Sequence, residues 1–188
     1  LSGLGHDLEE MRLPPGLDGA VAASGAVLAG HIAADLDSRA EQLGRPIAER
    51  DVEPLTFARY QHAKGFSASD YVRALRVVHG YGRAMAQLFD RFDVVLASTL
   101  GSPPLALGAL RGIAPGAAGV ARRAFMPNTR IFNLTGQPAM SVPLAWTNEG
   151  LPVGVQFIAQ MGAEAVLFRL AGQLEAATPW AGRRPQLT

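Results

Sequence analysis

Few residues in this chain have the types and spacing to do chemistry. The only lysine, Lys64, stands in KGFSASD, just ahead of Ser67 and Ser69, and a lysine with a lowered pKa could activate a serine as nucleophile. The same segment also reads as the entry to an amphipathic helix, where serine caps the first turn and lysine is solvated, and this reading is favoured. The four histidines, His6, His31, His62 and His79, are far apart and form no HExxH or similar ligand spacing, so each is expected at the surface or in a structural role. With no cysteine, disulfides, thiolate zinc sites and cysteine nucleophiles are excluded. GYGRAM at 80–85 imitates the start of a dinucleotide-binding loop, but its third position is Met85 and it lies inside a helical pattern rather than after a strand. GxSxG elbows and Walker loops are absent. On residue types alone, the chain offers no pairing of nucleophile and base, no catalytic residue and no metal site.

The elements that would position any site are better marked. At 188 residues, 48% hydrophobic and 18% charged, the chain suits a single domain or a large piece of one. The net charge of +1 comes from dispersed acids and bases, with Arg122-Arg123 and Arg183-Arg184 as the only adjacent basic pairs, so no nucleic-acid partner is expected. The Ala-rich stretch from Gly19 to Ala34 is broken by His31 and several glycines, and no membrane span is expected. The chain opens on Leu1 in LSGLGHDLEE, which reads as already inside a fold and has no cationic start or cleavage site. Leu1 is therefore expected not to be the native start, and a targeting signal would lie upstream. A cytoplasmic location is favoured.

Residues 1–92 read as mainly helical, and 93–188 as strands closed by a helix. A helix end at Gly3 to Gly5 should lead into a short strand with an acidic face, stopped by Pro14-Pro15. A helix follows from about Leu17 to Leu43, with Gly44 as its cap. Pro54 opens a shorter helix carrying Phe57 and Tyr60. Ser67 and Asp70 fit a capping box, and Tyr71, Leu75, Val78, Gly82, Met85, Phe89 and Phe92 form one apolar stripe. Gly82 would let another element approach closely. DVVLAS at 93–98 predicts a buried strand entering a Pro/Gly-rich turn, and the small-residue-rich segment from Gly108 to Ala124 predicts an irregular or mobile loop. Strands at 139–144 and 153–159 should form a hairpin around Asn148 and Gly150. A final helix from Ala163 to Ala177 buries Val166, Leu167, Leu170 and Leu174, and ends at Thr178-Pro179.

The segments FNLTGQPAMSVPL, GLPVGVQFIA and EAVLFRLAGQLEAATPW, in this order and spacing, resemble the C-terminal part of the amidase signature family, serine hydrolases of carbon–nitrogen bonds. RAMAQLFDRFDVVLASTLGSPPLALG is similar to the helix, strand and proline-rich loop that precede them. One departure is Ser98 ahead of Thr99, where the family usually has proline. The resemblance implies an α/β fold, a mixed sheet flanked by helices. It also implies amide hydrolysis by a Ser-cisSer-Lys set, with an oxyanion hole of backbone N–H groups and no cofactor. Nothing here matches the serine-rich signature or its lysine, so no catalytic residue carries over, and the chain by itself is expected to be inactive. FMPNTRIFN corresponds to a segment beside the acyl pocket, which makes Asn128, Thr129 and Phe132 candidates for contact with a small-molecule amide. Phe132 is equally consistent with core, and Asn128 and Thr129 with the mere start of a helix; the loop from Gly101 to Arg123 would rim the pocket or, as is favoured, form an ordinary surface loop. Gly136 and Pro138 would bring the chain into one strand, Gly150 and Pro152 into the next, and Gly154 would leave room for a neighbour. Gln156 would be a buried amide in need of partners. Uncovered strands could make the chain self-associate, and the alternative to an enzyme portion is a stand-alone interaction module of the same fold.

Overall fold

The computed structural model describes residues 1–109, 117, 120, 121 and 124–184. The segment from Gly108 to Ala124, expected to be irregular, lies largely outside the described residues, as do Arg122 and Arg123 of the loop that ends there. The first half of the chain is helical: α2 (Pro54–Ala63) and α3 (Ala68–Ala86) both pack on α1 (Leu17–Leu43). α1 ends where Gly44 takes a left-handed φ of 63° and its N–H returns to the carbonyls of Ala40 and Glu41, a conformation glycine enters without a Cβ clash. An 18-residue stretch of α1 is apolar enough to cross a membrane, with a mean hydropathy of 1.4, although its sequence suggested no such segment. Here it lies against the other helices through Ala20, Ser24 and Ala29.

α3 begins with a reciprocal capping box: the Asp70 N–H donates to Ser67 Oγ at 3.2 Å, and the Ser67 N–H donates to Asp70 Oδ2 at 2.9 Å. Its buried face is Ala74, Val78, Tyr81 and Met85, so the stripe read from the sequence is turned slightly. It also ends early, because the chain tightens into a 3-10 turn at Gln87–Asp90. Gly82 does face another element, at Thr135, but a Cβ there would stand 3.8 Å from the Thr135 carbonyl oxygen. That is ordinary contact, and the close approach does not require glycine.

Residues 6–14, expected as a strand, form none. Met11 and Leu13 instead pack on the helical core, Glu9 pairs with Arg91 at 2.7 Å, and Tyr81 reaches the Pro14 carbonyl at 3.3 Å. This segment is held by side chains and has no backbone ladder.

Three strands follow, β1 (Val94–Ser98), β2 (Ala139–Trp146) and β3 (Pro152–Ala159), with α4 (Thr129–Thr135) before β2 and α5 (Glu164–Ala177) after β3. The order is β1-β3-β2 and both pairings are antiparallel; no parallel pair occurs among these strands. The hairpin closes through the Thr147 N–H to the Leu151 carbonyl at 2.8 Å, with Gly150 at φ 78°. Pro143 lies on edge strand β2 and Pro152 opens β3, the positions where a missing N–H costs the ladder least. A register irregularity follows between Pro143 and Ala145.

The central strand divides two cores, because successive side chains point to opposite faces. On one face Ile158 and Val95 pack with Ala20, Tyr81, Met85, Ile131 and Phe132. On the other, Phe157, Ala159 and Val142 pack with Leu167, Leu170 and Leu174 of α5. Phe157, Ile158 and Ala159 are all fully buried, so β3 is the spine of the molecule.

Candidate functional site

The face that carries Ile158 changes character along β3. Ile158 is sealed by helices, but the next residue on that face is Gln156, which sits between Ala97 of β1 and Ser141 of β2. Beyond it comes Gly154, where the hydroxyls of Thr99 and Ser141 meet at 2.7 Å. A Cβ on Gly154 would lie 2.7 Å from Ser141 Oγ and 2.9 Å from Thr99 Oγ1, so glycine here makes room for two side chains from the flanking strands. Gln156 is only 4% exposed, and its Oε1 is sealed with no hydrogen-bond partner. The face thus runs from apolar core into a polar strip.

α4 packs on the same face of the sheet, with Ile131 and Phe132 against Val95 and Ile158. Asn128 at its start does not cap the helix; its Nδ2 donates to the Ser98 carbonyl and to Ser98 Oγ, both at 2.9 Å, and so ties the helix to the end of β1. This bond uses the serine that departs from the family pattern. Thr129 begins α4 half-buried, while Phe132 is 3% exposed and packs inside the helical core. In this chain Phe132 offers no surface to a ligand. Arg130 anchors α4 to α1 by donating to Ser24 Oγ at 2.6 Å and to the Val21 carbonyl at 3.1 Å. Gly136, at φ 80°, ends α4, and the Pro138 carbonyl takes the Ala159 N–H at 3.1 Å as β2 begins. Buried Gln137 between them accepts from the Thr135 hydroxyl.

The Lys64 segment does not have the geometry of a base and a nucleophile. Lys64 Nζ lies 2.6 Å from both Asp37 oxygens, and Tyr60 donates to Asp37 at 2.5 Å. The Asp37 carboxylate holds the lysine pKa above its ordinary value, and the lysine in turn holds the carboxyl below its own. A lysine stabilised in its charged form is a poor proton acceptor. The hydrogen bond from the Ser67 hydroxyl, the backbone at Ser67 and then Arg73 lower the Asp70 pKa to about 2. The histidines are scattered, as their spacing suggested: His6 meets Gln173 at 2.8 Å, His31 meets Tyr71, and His62 packs edge-on against Phe66. A cleft of about 1060 Å³ opens between residues 5–9, β1 and α5, but it lies against Leu96 and Phe157, on the opposite face from Gln156.

Of the residues the sequence pointed to, the structure places Asn128 at Ser98, opposite Val155, with Gln156 next along β3, while Gly136 and Pro138 lie toward the other end of the sheet, where the Pro138 carbonyl meets Ala159. Sequence reasoning missed the Thr99–Ser141 bridge and the Arg130–Ser24 tie. Ser141 stands inside the motif that carried the resemblance, yet its partner is 42 residues away, a distance at which local pattern is silent.

A small sheet with α-helices over both faces and a polar strip at one end defines an α/β scaffold. The sequence profile of the Amidase family matches residues 1–168, and the chain belongs to that family. It is 31% identical over 165 residues to the 6-aminohexanoate-cyclic-dimer hydrolase of Paenarthrobacter ureafaciens, covering 83% of this chain and 33% of that protein. A similar hydrolase of a Pseudomonas strain is 29% identical over the same share. The solved structure of a 6-aminohexanoate cyclic dimer hydrolase superposes with a TM-score of 0.89 at 27% identity, over 98% of this chain and 40% of that one. The chain thus spans about a third of the length of these curated relatives. A bacterial aryl acylamidase of the amidase signature family shares the fold, with a TM-score of 0.70 at 21% identity.

Proposed function

We propose that this chain is the C-terminal portion of an amide hydrolase whose Ser-cisSer-Lys residues stand on polypeptide outside it. In this reading the chain supplies three strands, their covering helices and one wall of the substrate pocket. Asn128 and Thr129 line that wall, Phe132 backs it, and Gly136, Pro138 and Gln156 hold it in place. The observation that carries the reading is the match of almost the whole chain to two-fifths of a cyclic-amide hydrolase. Among the described residues, moreover, the one lysine is committed to Asp37. The chemistry is acyl transfer: the serine oxygen attacks the carbonyl, the carbon–nitrogen bond breaks, the leaving nitrogen takes a proton, and water releases the acid. The substrate class is a small linear or cyclic amide.

The test is to sequence the coding DNA upstream of Leu1, express the whole reading frame beside Leu1–Thr188 alone, and assay both on 6-aminohexanoate cyclic dimer and simple aryl and alkyl amides. Hydrolysis by the longer protein only is expected. Hydrolysis by the short chain that Lys64→Ala abolishes would overturn the proposal. A start codon directly before Leu1 would favour the interaction-module reading.

A further inference from the structure

Leu96 sits in the middle of β1, yet it is 49% exposed, and Leu8 is 62% exposed. Both line the cleft of about 1060 Å³ that Phe157 and Leu170 also border. β1 is an edge strand whose Thr99 end donates an N–H to the Gly154 carbonyl. Hydrogen-bonded and non-hydrogen-bonded pairs alternate along an antiparallel ladder, so Ala97 and Val95 also direct their backbone groups to β3, while Ser98, Leu96 and Val94 turn theirs outward. Asn128 takes the Ser98 carbonyl; among the described residues, no backbone group outside β1 meets those of Leu96 or Val94. The opposite bank is equally open: residues 7–9 make no backbone hydrogen bond to any described residue, although their alternation suits a strand. Met11 and Leu13, just beyond, anchor that bank on the helical core.

We propose that this cleft is the seat of one strand from the portion of the protein that carries the catalytic serines. Bonded to β1 on one side and to residues 7–9 on the other, that strand joins the two portions into a single sheet. The proposal rests on the amide-hydrolase reading. A strand of about 5–6 residues, about 17–20 Å long, about 4.8 Å from its neighbour and filling a layer about 10 Å deep, takes up about 800–1000 Å³. The cleft has room for one such strand and no second. This chain covers only 40% of the solved hydrolase it matches, so in a protein of that length there is polypeptide to fill the cleft. The strand's side chains toward α5 would be apolar, covering Leu96, Val166 and Leu170. A second copy of this chain cannot supply it, because its own β1 is bordered by the same segment 5–9 and two such edges cannot both enter.

The experiment uses the protein expressed from the whole reading frame. Amide hydrogen exchange, read to single residues by mass spectrometry with fragmentation, should find Val94, Leu96 and residues 7–9 exchanging on the order of a hundredfold or more slower than in the urea-unfolded protein. One upstream peptide of about 5–6 residues should be protected with them. Leu96→Cys, in a segment Leu1–Thr188 that has no other cysteine, should react with a maleimide only after unfolding. Leu96→Pro removes one outward N–H and should melt below Leu96→Ala, whereas an edge open to solvent tolerates proline there. Solvent-rate exchange at Leu96 and residues 7–9, labelling of Leu96→Cys at the unfolded rate, or equal melting of the Pro and Ala variants would overturn the proposal. Protection that appears only as the protein dimerises on sizing chromatography would give the cleft to a second copy and overturn it, as would a reading frame that opens at Leu1. If the protein hydrolyses no amide while these amides stay protected, the hydrolase reading fails and the inserted strand stands.

Discussion

Gly154→Ala tests the physical account of the polar strip most directly. The new methyl group would stand 2.7 Å from Ser141 Oγ, 2.9 Å from Thr99 Oγ1 and 3.2 Å from Thr99 Cβ. Rotating Ser141 relieves the first contact but breaks the 2.7 Å hydroxyl bridge. The third involves a branched carbon next to the backbone, so relieving it means moving the end of β1. Losing the bridge costs about 1 kcal/mol, and overpacking adds about 1–3 kcal/mol. The reduced freedom of the unfolded chain returns about 0.4–1 kcal/mol. The net loss is therefore about 2 kcal/mol, a fall in Tm of about 4–8 °C for a chain of this size. Thermal unfolding followed by circular dichroism would read it, in a double-mutant cycle with Ser141→Ala. Removing the serine oxygen should cost less in the alanine background than in wild type, with a coupling near 1 kcal/mol. A Tm within 1 °C of wild type, or strict additivity, would refute the reasoning about why glycine occupies this position.

The contrasting substitution is Gly82→Ala, where the nearest atom would be 3.8 Å from the new carbon; removing a glycine from a helix interior should raise stability by about 0.5–1 kcal/mol, read as a higher urea midpoint at unchanged m-value. Asp70 gives a pH prediction. Its pKa falls from 3.8 to about 2 on folding, so its contribution is fully present above pH 3.8 and is lost as pH drops through 2. Asp70→Asn should lower Tm at pH 7, and the difference should close below pH 2; a constant difference would show that the charge is not what caps α3.

The helix stops and starts were readable because their causes are local. Gly44 ends α1 by entering left-handed space, and Ser67 and Asp70 satisfy each other's backbone within one turn. The hairpin was equally legible, since Gly150 and the reversal from Thr147 to Leu151 lie within five residues. The expected strand at 6–14 failed for the opposite reason. Alternating apolar and acidic residues permit a strand, but a strand exists only where another backbone pairs with it, and here that space is filled by Met11 and Leu13 packing on helices.

The sequence by itself determined the family, the positions of α1, α2, α3 and α5 and of the hairpin, and the segment that bears Asn128, Thr129 and Gln156. Only the tertiary structure decided what those residues do. It seated β3 between β1 and β2, turned Asn128 to pin Ser98, buried Phe132, spent Lys64 on Asp37, and left Gln156 without a partner. The physical reason is range. Capping and turn formation are settled by atoms a few residues apart, whereas hydrogen-bond satisfaction on a sheet face depends on segments 30 or more residues away, such as Ser98 with Asn128 and Thr99 with Ser141.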